Sequence, residues 1–237
     1  TVQGLVHRQV TADRAIDRGL VNSISTAPAC LSGCDLVILA LPIPLLLDPP
    51  AELLAAIPPA AVVTDVGSVK QPVLAAWRHR HPRFVASHPM AGTALAGVEA
   101  GTPNLFCGRP WIATPDGDTD PSALATVKDL AVSLGSHWLT ASASQHDQAV
   151  ALISHMPVLV SAALLRAVGD ERDPEIRQLA TALASSGFAD TSRVGGGNPD
   201  LGVAMASSNR DAVLRVLAAY RWSLEQLEDA VLQENWS

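Results

Sequence analysis

Two short polar segments contain the residues whose types and spacing could perform chemistry. Residues 65–70 (DVGSVK) and residues 87–92 (SHPMAG) each follow a short apolar run, so each lies where a buried strand would end. In open α/β sheets, ligands bind at that carboxyl edge. His88 can accept a proton near neutral pH, and Ser68 can bond the same hydroxyl or orient the imidazole. These residues predict a small-molecule site with proton-transfer chemistry; for a histidine taken alone, a packed or solvated side chain is the alternative.

The elements that must position these residues alternate over the first part of the chain. Short apolar runs predict strands, and the capped or amphipathic segments between them predict helices. The predicted strands lie at 2–7, 35–40, 60–64, 84–86, 111–114 and 137–140. The predicted helices lie at 11–18, 50–57, 71–78 and 122–134. This alternation predicts an α/β fold with a Rossmann-like, doubly wound parallel sheet.

The character of the sequence changes near residue 142. Ser144 and Asp147 have the spacing of a capping box that opens a long helix, and helical periodicity then continues nearly to the end. We therefore predict two domains, residues 1–142 with the sheet and residues 143–237 with an all-helical fold. In the last segment, 209–233, apolar residues recur at helical spacing, which fits a partner-facing helix or an ordinary core helix.

The composition argues against several classes of protein. The 237 residues are 48% hydrophobic and carry a net charge of −7 without a basic tract, which argues against nucleic acid as a partner. Three cysteines, an odd number, argue against a disulfide framework and a zinc site, and they favour the reducing cytoplasm. The apolar run 36–47 is too short to span a membrane and contains prolines, so a buried central strand, 35–40, running into a loop is predicted there.

Five motifs in order give the chain a family resemblance that covers nearly its whole length. The five motifs are residues 65–70 (DVGSVK), 87–92 (SHPMAG), 146–148 (HDQ), 154–157 (SHMP) and 190–193 (DTSR). They resemble the successive motifs of the prephenate/arogenate dehydrogenase family, which makes tyrosine or its immediate precursor. The segment 184–202 (ASSGFADTSRVGGGNPDLG) resembles cyanobacterial-type arogenate dehydrogenases in particular.

The resemblance implies an oxidative decarboxylation and a role for several residues. It implies that His88 accepts the C4 hydroxyl proton of a cyclohexadienol, with Ser68 beside it. Arg193 resembles the family arginine that binds the ring carboxylate, and residues 190–192 could orient it. His155, next to a proline that can kink its helix, is expected to line the pocket, whereas His146 is expected to have a structural role at the helix start. The family also implies a homodimer formed through the helical domain.

A dinucleotide cofactor is implied, but the residues for it are incomplete. No G-x-G-x-x-G occurs in the 237 residues. The family places this motif before the strand that begins this chain, so we expect an N-terminally truncated sheet and weakened cofactor binding. No acid stands at the tip of the first strand, and Arg8 suits a 2′-phosphate, which favours NADP over NAD. The expected cofactor-binding residues are His7, Arg8, Gln9, Leu41, Pro42, Ile43, Gly67 and Ser68.

Two questions stay open at this point. Many prephenate-using relatives have a second histidine where this chain has Val158, which favours arogenate as the substrate. A β-hydroxyacid dehydrogenase with the same two-domain plan needs a catalytic lysine after the sheet, and no lysine follows Lys128. A non-catalytic oligomeric module is the alternative of another class, because the pyrophosphate loop is missing.

Overall fold

The computed structural model describes residues 1–93 and 97–235, and the chain divides into two compact units. The first unit is Thr1–His146 and the second is Asp147–Ser237. Every strand in the described residues belongs to the first unit, and the second unit is helical. The predicted α/β fold followed by an all-helical part is therefore confirmed.

The first unit alternates strands with helices. Its strands are β1 (Gln3–Leu5), β2 (Ser23–Ser25), β3 (Leu36–Leu39), β4 (Val62–Asp65), β5 (Phe84–Val85), β6 (Ser87–Pro89), β7 (Pro110–Ala113) and β8 (His137–Thr140). Its helices are α1 (Gln9–Asp17), α2 (Ile43–Leu47), α3 (Ala51–Ala56), α4 (Gln71–Trp77) and α5 (Pro121–Ser133). Helix α6 (Ala143–Val150) begins within the last residues of the first unit, which ends at His146.

Helix α2 corrects the loop predicted after β3. Pro42 stands at its N-cap and Pro44 lies in its first turn, where a proline costs no hydrogen bond because those N–H groups have no helical partner. Two prolines close together therefore began a helix here, although the same prolines suggested a loop from the sequence.

The strands form one two-stranded and two three-stranded sheets. β1 pairs in parallel with β2, and β3, β4 and β5 form a parallel sheet in that order. β6 pairs antiparallel with β7, and β7 pairs in parallel with β8. The predicted strand end at residue 86 is therefore followed at once by a new strand, in which His88 lies opposite Ile112.

Strand β3 differs from the buried central strand that its sequence predicts. Within the described residues it pairs on one side only, with β4. Ile38 is consequently 45% exposed, whereas its neighbours Val37 and Leu39 are buried. An apolar side chain on an unpaired edge gains less from burial than it would inside a continuous sheet.

The core of the first unit lies between the sheets and α5. Val62, Val85 and Ala113 from three strands pack against Ala123 and Val127 of that helix. A short residue such as Ala at every third or fourth helical position lets the helix approach the strands closely. This packing holds Val62 at the start of β4 and Val85 at the end of β5.

Helix α6 begins with a capping box, two residues earlier than predicted. The Ser142 hydroxyl accepts the Gln145 N–H at 3.2 Å, and Gln145 Oε1 accepts the Ser142 N–H at 3.1 Å. This reciprocal pair is the capping-box arrangement. The prediction for Ser144 and Asp147 is therefore wrong by two residues, because Ser142 has the same spacing to an amide.

The second unit contains only helices among its described residues. They are α7 (Met156–Gly169), α8 (Pro174–Leu183), α9 (Ser186–Ser192), α10 (Pro199–Ser208) and α11 (Arg210–Leu232). A π-helical turn, Ala151–His155, joins α6 to α7. The kink predicted near Pro157 corresponds to this π-helical turn. The run Ala143–Gly169 has a mean hydropathy of 1.8 over its most apolar window, so by length and composition alone it could cross a membrane.

Gly195 allows the chain after α9 to pack directly on α7. A Cβ atom at this position would lie 2.3 Å from the Ala162 nitrogen and 2.7 Å from the Ser161 hydroxyl. That hydroxyl donates to the Thr191 carbonyl at 2.8 Å and accepts the Gly195 N–H at 2.9 Å. The turn that carries Arg193 is therefore pinned to α7 at both ends.

We predict that Gly195→Ala destabilises the protein by about 1–3 kcal/mol, because backbone atoms must move to admit the methyl group. The measurement is the urea unfolding midpoint. Gly196→Ala is the matched control, since the nearest atom to its new Cβ lies 3.9 Å away. Equal midpoints for the two variants would contradict the close approach.

Candidate active site

A buried ion pair joins the two polar segments. Lys70 and Asp65 form a salt bridge in which both side chains are fully buried. Lys70 Nζ also donates to the Ser87 carbonyl at 2.7 Å, and Asp65 Oδ1 accepts the Ser87 N–H at 3.1 Å. Asp65 Oδ2 accepts the Gly67 N–H at 2.9 Å. The pair therefore holds the loop after β4 and the start of β6 together.

The pair stands where the sheet hydrogen bonds stop. β5 ends at Val85 and β6 begins at Ser87, so the chain leaves one sheet and enters another at Ala86. At such a break a buried peptide needs other partners, because an unpaired buried N–H or C=O is costly. The two charged side chains supply them on both sides of Ser87. The residue just before His88 is consequently fixed in position.

The hydroxyl of Ser87 adds a second set of contacts. It accepts the indole N–H of Trp111 at 3.0 Å and lies 2.8 Å from the Thr64 hydroxyl. All three residues are buried. Thr64 also donates to the Val85 carbonyl at 2.7 Å. Strands β4, β5, β6 and β7 are thus joined through side chains at this one point.

Burial and charge act in opposite directions on Asp65. Burial raises the pKa of the Asp65 carboxyl above its ordinary value. The Lys70 ammonium and the N–H groups of Gly67 and Ser87 work the other way, since each stabilises the carboxylate. Removing any of these partners would leave a buried carboxylate with less compensation.

Ser68 lies on the loop that the ion pair holds. Its hydroxyl oxygen is buried and has no hydrogen-bond partner among residues 1–93 and 97–235. A buried hydroxyl without a partner costs roughly 1–3 kcal/mol. A ligand with a hydroxyl at this position would supply the missing bond.

His88 contacts a second histidine. Its Nδ1 atom lies 2.9 Å from Nε2 of His146, and the ring planes meet at 68°. Both side chains are buried. The sequence predicts only a structural role for His146, at the helix start, and not this contact. The available signal was its position in the first turn of a helix that starts directly after β8.

The remaining residues expected in the first unit lie at strand ends. His7, Arg8 and Gln9 follow β1 and are exposed. The Arg8 side chain makes no hydrogen bond or ion pair within the described chain, and the Gln9 side chain donates to Asp13 at 2.8 Å. The three residues expected beside them along the sheet edge, Leu41, Pro42 and Ile43, follow β3 and start α2.

The other expected substrate residues belong to the second unit. His155 is 1% exposed, and its Nδ1 lies 3.3 Å from the Asn209 amide nitrogen, which also donates to the Asp147 carbonyl at 2.7 Å. Arg193 is exposed at the end of α9. Residues 190–192 were expected to orient Arg193. The Thr191 and Ser192 hydroxyls instead donate to carbonyls inside α9, so they do not support that role.

The described residues contain no group of three or more histidine, cysteine, aspartate or glutamate side chains placed to hold a metal ion. The chemistry that the arrangement offers is proton acceptance at His88 and hydrogen bonding at Ser68. A hydroxyl compound is the matching class of ligand.

Two family models match the chain almost from end to end. Residues 1–140 match the model described as prephenate dehydrogenase, nucleotide-binding domain. Residues 142–237 match the model described as prephenate dehydrogenase, dimerization domain. Among curated proteins, the cyclohexadienyl dehydrogenase of Zymomonas mobilis is 31% identical over 85% of this chain and 69% of its own length. The prephenate dehydrogenase of Bacillus subtilis is 30% identical over 73% of this chain, which spans 47% of that protein.

Solved structures agree with the family models. Synechocystis arogenate dehydrogenase is 40% identical, with a TM-score of 0.78, over 99% of this chain and 84% of that one. Prephenate dehydrogenase from A. aeolicus, in complex with hydroxyphenyl propionate and NAD+, is 28% identical, with a TM-score of 0.90, over 98% and 82%. The predicted resemblance, including its cyanobacterial relative, is confirmed.

We predict that Lys70→Met destabilises the protein by about 3–5 kcal/mol, because it leaves the Asp65 carboxylate buried without its cation. The measurement is the free energy of unfolding in urea. Lys128→Met, at the exposed second lysine of the chain, is the control and should change it by less than about 0.5 kcal/mol. The double variant Asp65→Asn/Lys70→Met should lose less than the sum of its single changes. A Lys70→Met protein as stable as the control would contradict the ion pair.

Proposed function

Because the chain belongs to the prephenate dehydrogenase family, we propose that it catalyses the NADP-dependent oxidative decarboxylation of arogenate to tyrosine. Prephenate, converted to 4-hydroxyphenylpyruvate, is the alternative substrate. The observation that carries the proposal is the polar junction at which Asp65 and Lys70 hold the Ser68 loop against the start of β6. This junction presents a hydroxyl and an imidazole on adjoining segments.

The reaction needs one proton acceptor and good positioning. The C4–H bond breaks with loss of a hydride while the C4 hydroxyl gives up its proton, so C4 becomes a carbonyl. The bond from the ring to its carboxylate then breaks, CO2 leaves, and the released electron pair makes the ring aromatic. The C4 oxygen takes a proton and ends as the phenol hydroxyl. When bound, NADP supplies the hydride acceptor. Aromatisation drives the change, so the protein mainly binds, orients and moves a proton.

We assign the proton transfer to His88. With Nδ1 directed at His146, Nε2 is the ring nitrogen that would take the C4 hydroxyl proton. Ser68 would hydrogen-bond the same hydroxyl, which would give its buried oxygen the partner that it lacks in the described chain. General base catalysis of this kind is worth about 10²- to 10⁴-fold in rate.

We assign substrate binding in the second unit to Arg193 and His155. Arg193 is exposed and makes no ion pair within the described residues, so its guanidinium can form two parallel bonds with the ring carboxylate. The packing of Gly195 on α7 holds the turn beside it. His155, fixed by Asn209, would line the substrate pocket.

We assign two groups of residues to two parts of NADP, its 2′-phosphate and its nicotinamide. At one end, Arg8 with His7 and Gln9 would receive the 2′-phosphate. The Arg8 side chain has no other partner in the described residues, which suits this role. At the other end Leu41, Pro42 and Ile43, together with Gly67 and Ser68, would face the nicotinamide. No G-x-G-x-x-G turn for the pyrophosphate occurs in residues 1–237, so we assign no residue to that part.

Arogenate is the substrate we favour. Val158 offers no charge or hydrogen bond to a pyruvyl side chain, whereas many prephenate-using relatives have a histidine at this place. The 40% identity to the Synechocystis arogenate dehydrogenase supports the same choice. Arogenate carries an amino-acid side chain and prephenate carries a keto-acid side chain, and the two need different binding partners. The preference for arogenate can therefore be tested directly.

We further propose that the chain acts in the cytoplasm as a homodimer formed by its second unit, which matches the dimerization model. Apolar side chains on α11 support the proposal, because Trp222, Leu227 and Leu232 are each more than 60% exposed. Exposed apolar surface of this extent marks an interface in soluble proteins. Nucleic acid and membrane are not among the partners we propose.

The decisive test is NADPH formation with each substrate. The assay uses the chain preceded by a strand, a Gly-rich turn and a helix from a relative, because no G-x-G-x-x-G occurs in residues 1–237. We expect reduction of NADP with arogenate, slower reduction with prephenate, and a lower kcat/KM with NAD than with NADP. His88→Asn should lose about 10²- to 10⁴-fold of kcat, since Asn cannot accept the proton.

The control for this assay is His79→Asn, an exposed histidine outside the site, which should keep the parent rate. Absence of turnover with both substrates, in a folded protein that binds NADP, would overturn the proposed function. A His88→Asn enzyme as fast as the control would overturn the assigned proton acceptor while leaving the reaction class standing.

A further inference from the structure

The contact between His88 and His146 has a directional consequence. The two ring nitrogens lie 2.9 Å apart. When both imidazoles are neutral, they share one hydrogen, so one ring donates and the other accepts. If His146 donates, the lone pair of His88 at Nδ1 is used and its Nε2 carries the hydrogen. In that state Nε2 cannot accept a proton. Only the opposite direction leaves a basic lone pair on Nε2 of His88.

We propose that His146 is a positioning residue that accepts the Nδ1–H of His88 and so holds His88 in the tautomer able to take the substrate proton. This inference rests on the proposed function, in which His88 is the acceptor. His146 thereby has a role in catalysis beyond the structural one that the sequence predicts.

The surroundings of His146 fit an acceptor that is held in place. The capping box between Ser142 and Gln145 sets the first turn of α6, and the His146 N–H donates to the Ser142 carbonyl at 2.9 Å. The His146 side chain is 2% exposed, so its ring has little freedom to turn away.

His88 is held equally firmly on its own side. Its neighbour Ser87 is bound through both peptide groups by Asp65 and Lys70. The backbone of β6 at His88 lies opposite Ile112 of β7. Two rings on separately anchored elements therefore meet at hydrogen-bond distance without a mobile side chain between them.

The contact gains strength during the reaction. When His88 takes the substrate proton at Nε2, its ring becomes an imidazolium, and the Nδ1–H bond to the neutral His146 becomes charge-assisted. Such bonds are roughly twice as strong as neutral ones. His146 would therefore stabilise the protonated state of His88 more than the resting state, which lowers the barrier to proton transfer.

The direct test is nitrogen NMR of the chain labelled with 15N-histidine. In residues 1–237 without cofactor, we expect the hydrogen on Nδ1 of His88, a pyridine-type Nε2 in the same ring, and a coupling across the hydrogen bond to Nε2 of His146. Location of the hydrogen on Nε2 of His146, or on Nε2 of His88, would overturn the proposal whatever the enzyme assay shows.

Kinetics of two His146 variants provide the second test, in the extended chain used for the assay. His146→Leu removes the acceptor and should lower kcat at least tenfold with little change in KM. His146→Gln keeps an oxygen acceptor near the Nε2 position and should recover most of that loss. Equal loss in both variants, with both folded by circular dichroism, would mean a packing role and would overturn the proposal.

The two tests separate this inference from the function on which it rests. No turnover in the parent together with the expected NMR pattern would sink the reaction and also the catalytic use of the pair, although the hydrogen-bond direction would stand. Turnover in the parent with the opposite hydrogen location would sink the positioning role alone. His79→Leu is the control for the loss of an exposed imidazole and should keep the parent rate.

Discussion

The fully buried salt bridge between Asp65 and Lys70 is the interaction on which the candidate site depends. Two charges removed from water cost several kcal/mol each, so such a pair persists only where further hydrogen bonds complete it. Here the Gly67 N–H and both peptide groups of Ser87 complete it. An apolar pair of similar volume could fill the same space, but it could not bond the Ser87 peptide where the sheet hydrogen bonds stop.

From this junction the positions of the other site residues follow. Ser68 lies between the two charged residues, and His88 comes directly after the peptide they hold. The switch from a parallel to an antiparallel strand at Ala86 brings β6 beside β7, whose other neighbour is β8. Helix α6 starts just after β8 and returns His146 to His88. The pairing of β6 with β7 and of β7 with β8 therefore brings the two histidines together.

The sequence predicted the parts of the fold that depend on local pattern. β8 was predicted with its observed bounds, and α4 within one residue, because apolar runs and caps are local signals. The antiparallel strand β6 was not, since the polar and proline-containing residues Ser87 to Pro89 carry no strand periodicity. Its ladder depends on β7, more than twenty residues later, and no local rule reports such a partner.

The residues of the site could be predicted from the sequence, but the contacts between them could not. Ser68 and His88 stood out because each follows an apolar run. The role of Lys70 as a buried cation did not, since lysine is almost always exposed. Its burial here depends on the Asp65 carboxylate and the Ser87 carbonyl. The contact with His146 also escaped, because it joins a strand to a helix 58 residues away.

The measurement that tests the central claim most directly is the ratio of CO2 released to NADPH formed. It uses arogenate labelled with 13C in its ring carboxylate and the chain preceded by the Gly-rich unit of a relative. A one-to-one ratio, with both products lost together in His88→Asn, is the result that the account predicts. NADPH without CO2, or CO2 without NADPH, would contradict oxidative decarboxylation as the reaction of this site.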